Sequence, residues 1–231
     1  MSTPTAVRER RPEWLIAATA AALVVYYYFL RADAIGVYSV ERGWRILTAG
    51  VLPPGLHFLL SAVVLGALPV LAARRLTGLT LAELGLGWGR GREGMAWLAL
   101  GIPLAVLAGR IGAASAGQRA VYPLNPGIDP TLGSFAPYAA LQFLYYASWE
   151  VLFRGVLLFG LRGRLSDGPA NFVQTGLSVT AHFGRALDET IGALPAGLVF
   201  GRVALRVRSI WYVALIHWAA GVSQDWFIIR H

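Results

Sequence analysis

The stretch YYASWEVLFRG, Tyr145 to Gly155, sets Glu150 and Arg154 four residues apart inside an otherwise apolar run. At that spacing the two side chains share one helix face and can pair. A charged residue at the centre of a membrane helix costs about 2.5–3.5 kcal/mol on insertion scales, and such residues usually face the bundle interior and mark function. Few other polar groups sit at comparable depth: His182, Arg202, His217, Gln224 and Asp225. A carboxylate and two imidazoles converging among helices can do recognisable work. A carboxylate in a low-dielectric site can act as general base near neutral pH. A neutral imidazole can hold the attacking water or donate to a developing oxyanion. Those parts suffice to hydrolyse a peptide bond. Glu150, His182 and His217 could equally bind zinc with water in the fourth position, or relay protons or coordinate a transported ion. The plainest alternative is an ion pair that neutralises itself and does nothing else. Spacing alone does not choose among them.

Of the 231 residues, 56% are hydrophobic and 14% charged, and the mean hydropathy is +0.57. Soluble domains carry roughly 25% charged residues. The deficit is spread over several long apolar runs, which makes the chain an integral membrane protein embedded in a lipid bilayer, built as an all-α bundle. All 20 cationic residues are arginine, and the net charge is +8. They lie mostly between apolar segments and read as topology signals, so no nucleic-acid partner is expected. The all-arginine, Ala-, Gly- and Leu-rich composition suggests a GC-rich bacterial genome and hence the inner membrane. There are no cysteines, which excludes disulfides, thiolate chemistry and cysteine metal sites.

About seven spans are expected, in a single membrane domain covering 1–231. The first runs from Trp14 to Leu30 behind the basic head RERRPE and reads as a retained helix. After a polar stretch, Arg31 to Arg45, the Pro-Pro pair of VLPPG makes a break, and the second span covers about Gly55 to Ala73. The glycine-rich LTGLTLAELGLGWGRGREG suits an interfacial connector. The third span is about Met95 to Ala108. The loop from Arg110 to about Pro137 holds YPLNPGIDPTLGSFAP, whose composition argues against a helix through it. The fourth span is about Tyr138 to Leu161. The last three lie around Ala170 to Phe183, Ile191 to Leu205 and Ser209 to Ile229. The arginines favour a cytoplasmic amino terminus.

WEVLFRGVL, LSVTAHF and GRVALRVRSIWYVALIHWAAG together resemble the three motifs of the CAAX-protease and bacteriocin-processing family of intramembrane proteases. Its pattern is a Glu-Glu-x-x-x-Arg helix, a Phe-x-x-x-His helix and a His-x-x-x-Asn helix. The resemblance covers a core of about 138–223, and the connector LTGLTLAELGLGWGR is similar to a segment found upstream in such proteins. It places Glu150 at the second glutamate, Arg154 at the arginine, and His182 and His217 at the two histidines. Three positions depart from the pattern. Trp149 stands where the family has its first glutamate, the water-activating base. Ser178 replaces the phenylalanine. Gly221 takes the asparagine position, with Gln224 farther along the same face as a substitute amide.

The resemblance implies an endopeptidase in which Glu150 activates water, His182 and His217 hold water and oxyanion, and Arg154 supports the glutamate. The substrate would be a protein or peptide cut near the membrane, such as a carboxyl-terminal sorting signal of the myxosortase kind. The reaction would need no cofactor; if zinc were bound, Glu150, His182 and His217 would hold it. Trp149 and Gly221 favour a second reading, a family-like scaffold or chaperone-like partner without activity. A third, a small transporter or ion-binding bundle, predicts inverted repeats, and the sequence contains none.

Overall fold

The computed structural model describes residues 13–30, 56–124 and 128–230, and every element among them is helical. The basic head, the polar stretch from Arg31, the Pro-Pro break and His231 fall outside these residues. Helix α1 is Glu13–Val25, running on as π-helical turns through Tyr26–Leu30. Helix α2 is Leu56–Thr77, with a π-helical middle at Ala62–Ala67. Then come α3 (Gly91–Ala114), the short α4 (Ala116–Arg119), and α5 (Leu132–Glu150), which continues as wide turns through Val151–Phe159. Helices α6 (Asp167–Thr180), α7 (Leu187–Val207) and α8 (Trp211–Ile229) complete the chain.

A helix stands at each of the seven apolar runs. Three of them, Leu56–Thr77, Gly91–Ala114 and Leu187–Val207, are long and apolar enough to cross a membrane by length and composition. Helices α5, α6 and α8 carry the interior polar groups, among them Gln142, Gln174 and Asp225, which makes them less apolar. The outward faces are greasy instead. Leu104, Ile111, Leu187 and Ile191 are 56%, 66%, 75% and 63% exposed, the pattern of a bundle whose solvent is lipid.

Two boundaries differ from the sequence expectation. Helix α5 begins at Leu132, inside the stretch expected to be loop, and takes in Pro137. Pro137 is the sixth residue of the helix, so it forfeits the regular bond its N–H would make to the Gly133 carbonyl and crowds that carbonyl, a cost the packing of α5 absorbs. Helix α6 stops at Thr180, short of His182.

Three contacts position the site. Helix α3 lies along α8 on a seam of glycines: a Cβ on Gly109 would sit 2.6 Å from the Ala220 carbonyl oxygen and 2.8 Å from the Gln224 nitrogen. Backbones this close need residues without side chains. Helices α6 and α7 are clamped by Asn171, whose amide donates to the Leu198 carbonyl at 3.0 Å, and by Gln174, which donates to the Gly197 carbonyl at 3.1 Å. The connector before α3 docks on the start of α8. Ile210 N donates to Gly85 O, Trp211 Nε1 to Leu86 O and Tyr212 Oη to Trp88 O, each at 2.9 Å. Gly89, at φ +56°, lets the chain pass against the carbonyls of Val207 and Arg208, where a Cβ would collide.

Helix α5 is the centre of the bundle. Tyr138, Tyr145, Trp149, Leu152, Phe153 and Leu157 form its share of the main core, against Phe58 and Leu65 of α2 and Tyr26 of α1.

Candidate active site

Glu150 ends the regular part of α5, and Arg154 follows in the wide turns. Such π-helical segments often mark functional positions in helices. Arg154 Nη1 donates to Glu150 Oε1 at 3.0 Å. From α8, Nδ1 of His217 lies 2.7 Å from the same oxygen and donates to it. The carboxylate thus collects a guanidinium and an imidazole. Arg154 also sets its guanidinium carbon 5.6 Å from the centre of the Phe200 ring. The Glu150 side chain is 0% exposed and His217 24%. With Nδ1–H committed to the carboxylate, the neutral ring keeps its lone pair on Nε2.

His182 sits in the turn after α6, not on a helix as expected. Its Nδ1 donates to the Ser178 carbonyl at 2.6 Å, and its own carbonyl accepts from Thr190 Oγ1 at 3.0 Å, which fastens the turn to the start of α7. Gly184, at φ +82°, closes the turn. Ser178 therefore serves through its backbone, while its buried side chain leaves room beside α7. Trp149 occupies the position of the absent acid and packs edge-on against His182, ring centres 5.3 Å apart.

The two histidines separate two cavities. One, about 270 Å³, is polar at its far end, where Tyr122, Arg185, Asp188 and Glu189 gather. Tyr122 Oη donates to Glu189 Oε1 at 2.8 Å. Burial pushes the Tyr122 phenol well above its usual range, so it remains a donor. The other, about 330 Å³, is apolar and lies between α3 and α7, lined by Leu100, Leu104, Val199 and Phe200. Trp149, His182 and His217 line both. A peptide bond placed at the histidines would have one flank among hydrocarbon and the other among polar groups.

Of the residues singled out from sequence, Glu150, Arg154 and His217 meet directly, and His182 shares both cavities with His217. Glu150 itself is on neither cavity wall and is reached through His217. Gln224 lines the polar cavity. Arg202 lies exposed on the outside of α7. Asp225 is fully buried, accepting from Tyr138 Oη at 2.6 Å and Gln142 Nε2 at 2.8 Å. In the zinc set, Glu150 Oε1 and His217 Nδ1 are bonded to each other and not turned together toward a shared point, and among the described residues no group of three or more His, Asp or Glu is arranged to hold a metal ion. Sequence reasoning missed Tyr146, although its spacing to Glu150 and Arg154 (i, i+4, i+8) puts it on the same face of α5. It also missed Arg185 and Glu189, which belong to a turn and a helix start with no periodic signal.

Fold and site together define an all-helical membrane protein with a buried carboxylate–histidine pair at a cavity wall. The family model described as Type II CAAX prenyl endopeptidase Rce1-like matches residues 132–223, from the start of α5 to within α8. The matched segment contains Glu150, Arg154, His182 and His217, as the motif resemblance implied. Over that segment the chain is similar to a family of CAAX-protease-type intramembrane endopeptidases. No curated protein and no solved structure matches the chain.

Proposed function

We propose that this protein cleaves a peptide bond near the membrane, with His217 as the group that takes the proton from water and Glu150 as the residue that positions it. The supporting observation is the 2.7 Å bond from His217 Nδ1 to Glu150 Oε1, behind an imidazole that faces both cavities. A buried carboxylate on Nδ1 selects the tautomer with Nε2 free and stabilises the imidazolium that forms, the logic of a catalytic triad without its nucleophilic residue. Glu150 itself lies too deep to meet water directly, so its part is indirect.

In this reading the attacking water is held at the cavity wall by His217 and His182. Its oxygen attacks the scissile carbonyl carbon while its proton passes to His217 Nε2. The tetrahedral intermediate collapses, the C–N bond breaks, and His217 returns the proton to the leaving amine. The products are a carboxylate and an amine, and no redox partner is required. Arg154 holds the glutamate in place through its hydrogen bond to Oε1. Trp149 holds His182 from behind.

The apolar cavity between α3 and α7 suits the hydrophobic side of a membrane-anchored segment, and the polar one its continuation toward water. A carboxyl-terminal sorting signal, an apolar stretch with a polar flank, has that character. The setting is the bacterial inner membrane.

The test is co-expression with a panel of tail-anchored reporter proteins that differ in their carboxyl-terminal segments. The wild type cleaves at least one, and Glu150→Gln, His182→Ala and His217→Ala do not. Cleavage that survives Glu150→Gln would remove that residue from the mechanism. Trp149, packed into an aromatic cluster where the family pattern has an acid, favours the second reading, a scaffold without activity. Wild-type behaviour identical to His217→Ala on every reporter would establish it.

A further inference from the structure

We propose that the Tyr146 hydroxyl is the hydrogen-bond donor that stabilises the oxyanion at this site, a role that rests on the hydrolytic reading above. Gly221 lies one turn beyond His217 on α8, on the face that meets the cavity. A Cβ built on Gly221 would run into Tyr146 Oη and come within 2.6 Å of Tyr146 Cε2. The glycine is therefore not an empty position. It is the slot that receives a phenol reaching across from α5.

The ring that fills the slot is held in place. Tyr146 is 7% exposed, and its ring centre is 4.7 Å from that of His217. It also packs edge-on against Tyr145 at 5.3 Å. A tyrosine has two side-chain torsions, and both are occupied here by packing. Yet its hydroxyl makes no hydrogen bond among the described residues, while it lines the polar cavity together with His182 and His217. A buried phenol usually finds a partner. This one faces the space where the substrate carbonyl must lie if His217 is to exchange protons at the scissile bond.

The chemistry fits the position. A phenol is a neutral donor at physiological pH. It adds no charge to a site that already holds an arginine and a glutamate, and its donation strengthens as the carbonyl oxygen becomes negative. Gln224 is the competing donor and is worse placed. Its Oε1 is turned toward α3, where a Cβ on Gly112 would meet it at 2.6 Å and Gln118 Oε1 at 2.8 Å.

The experiment uses the full chain in proteoliposomes with whichever tail-anchored reporter the wild type cleaves, and His217→Ala as the zero. Tyr146→Phe keeps the ring and removes the hydroxyl. It lowers kcat by about 10²–10³-fold with little change in KM and no change in thermal unfolding, the size seen when one oxyanion donor is removed. Two further pairs separate donor from filler. Gly221→Asn alone collides with the phenol and destabilises the protein. Tyr146→Ala with Gly221→Asn restores both folding and part of kcat, whereas Tyr146→Ala with Gly221→Ala restores folding only. Equal kcat for Tyr146→Phe and wild type overturns the proposal while leaving the hydrolytic reading intact. A wild type no better than His217→Ala overturns both.

Discussion

Glu150 on α5 and His217 on α8 are joined by a hydrogen bond of 2.7 Å from Nδ1 to Oε1, so the carboxylate is presented to the cavity only as a hydrogen-bonded imidazole. The two residues are far apart in the chain, and the packing of α8 along α5 and α3 brings them together. Glu150 Oε2 and Arg154 Nε lack hydrogen-bond partners among the described residues, so the pair is held by the single Nη1–Oε1 contact.

This arrangement gives Glu150 a structural part of its own. Removing one member of a buried pair strands the other charge, at a cost of about 3–5 kcal/mol. Glu150→Ala should therefore unfold at a clearly lower temperature in detergent, and Glu150→Ala with Arg154→Met should recover most of that loss. Neither variant should cleave a reporter. A double variant no more stable than the single one would show that the pair is not what holds these helices.

Trp149 is buried at 4% exposure amid Tyr26, Tyr145 and Phe153, and it backs His182. Trp149→Ala leaves a cavity and should cost about 3–5 kcal/mol. Trp149→Phe should keep most of the stability but slacken His182. Reporter cleavage should then fall through kcat by more than the small drop in unfolding temperature accounts for.

Gly109 sets the distance between α3 and α8. Gly109→Ala forces a methyl against the Ala220 carbonyl and the Gln224 amide, neither of which can swing aside. Overpacking of this kind costs roughly 1–3 kcal/mol. Because the same seam carries His217, activity should drop along with the unfolding temperature. Gly78→Ala, at the end of α2 where nothing lies within 4 Å, meets no neighbour and is strained only by its φ of +73°. It should leave cleavage unchanged.

Chelation is expected to leave cleavage untouched, since Glu150 Oε1 and His217 Nδ1 are engaged with each other and not presented as ligands. Treatment with EDTA followed by elemental analysis and the reporter assay checks this. Activity lost on chelation and regained with zinc would mean that the pair opens to bind metal.

Much was legible before folding was considered. Glu150 and Arg154 announce themselves because charge in an apolar run is expensive, and their spacing declares a shared face. His182 and His217 stand out for the same reason, and the apolar runs of α2, α3 and α7 could hardly be anything but helices. Tertiary structure decided what spacing cannot carry. It set His217 between Glu150 and the cavity. It ended α6 early and put His182 on a turn pinned to α7. It filled the gap at Gly221 with Tyr146 from another helix. The physical reason is common to all three: periodicity along one helix reports which side chains share a face, while hydrogen bonds and clashes between helices depend on the close approach of backbones, which here rests on glycines whose partners lie far away in the chain.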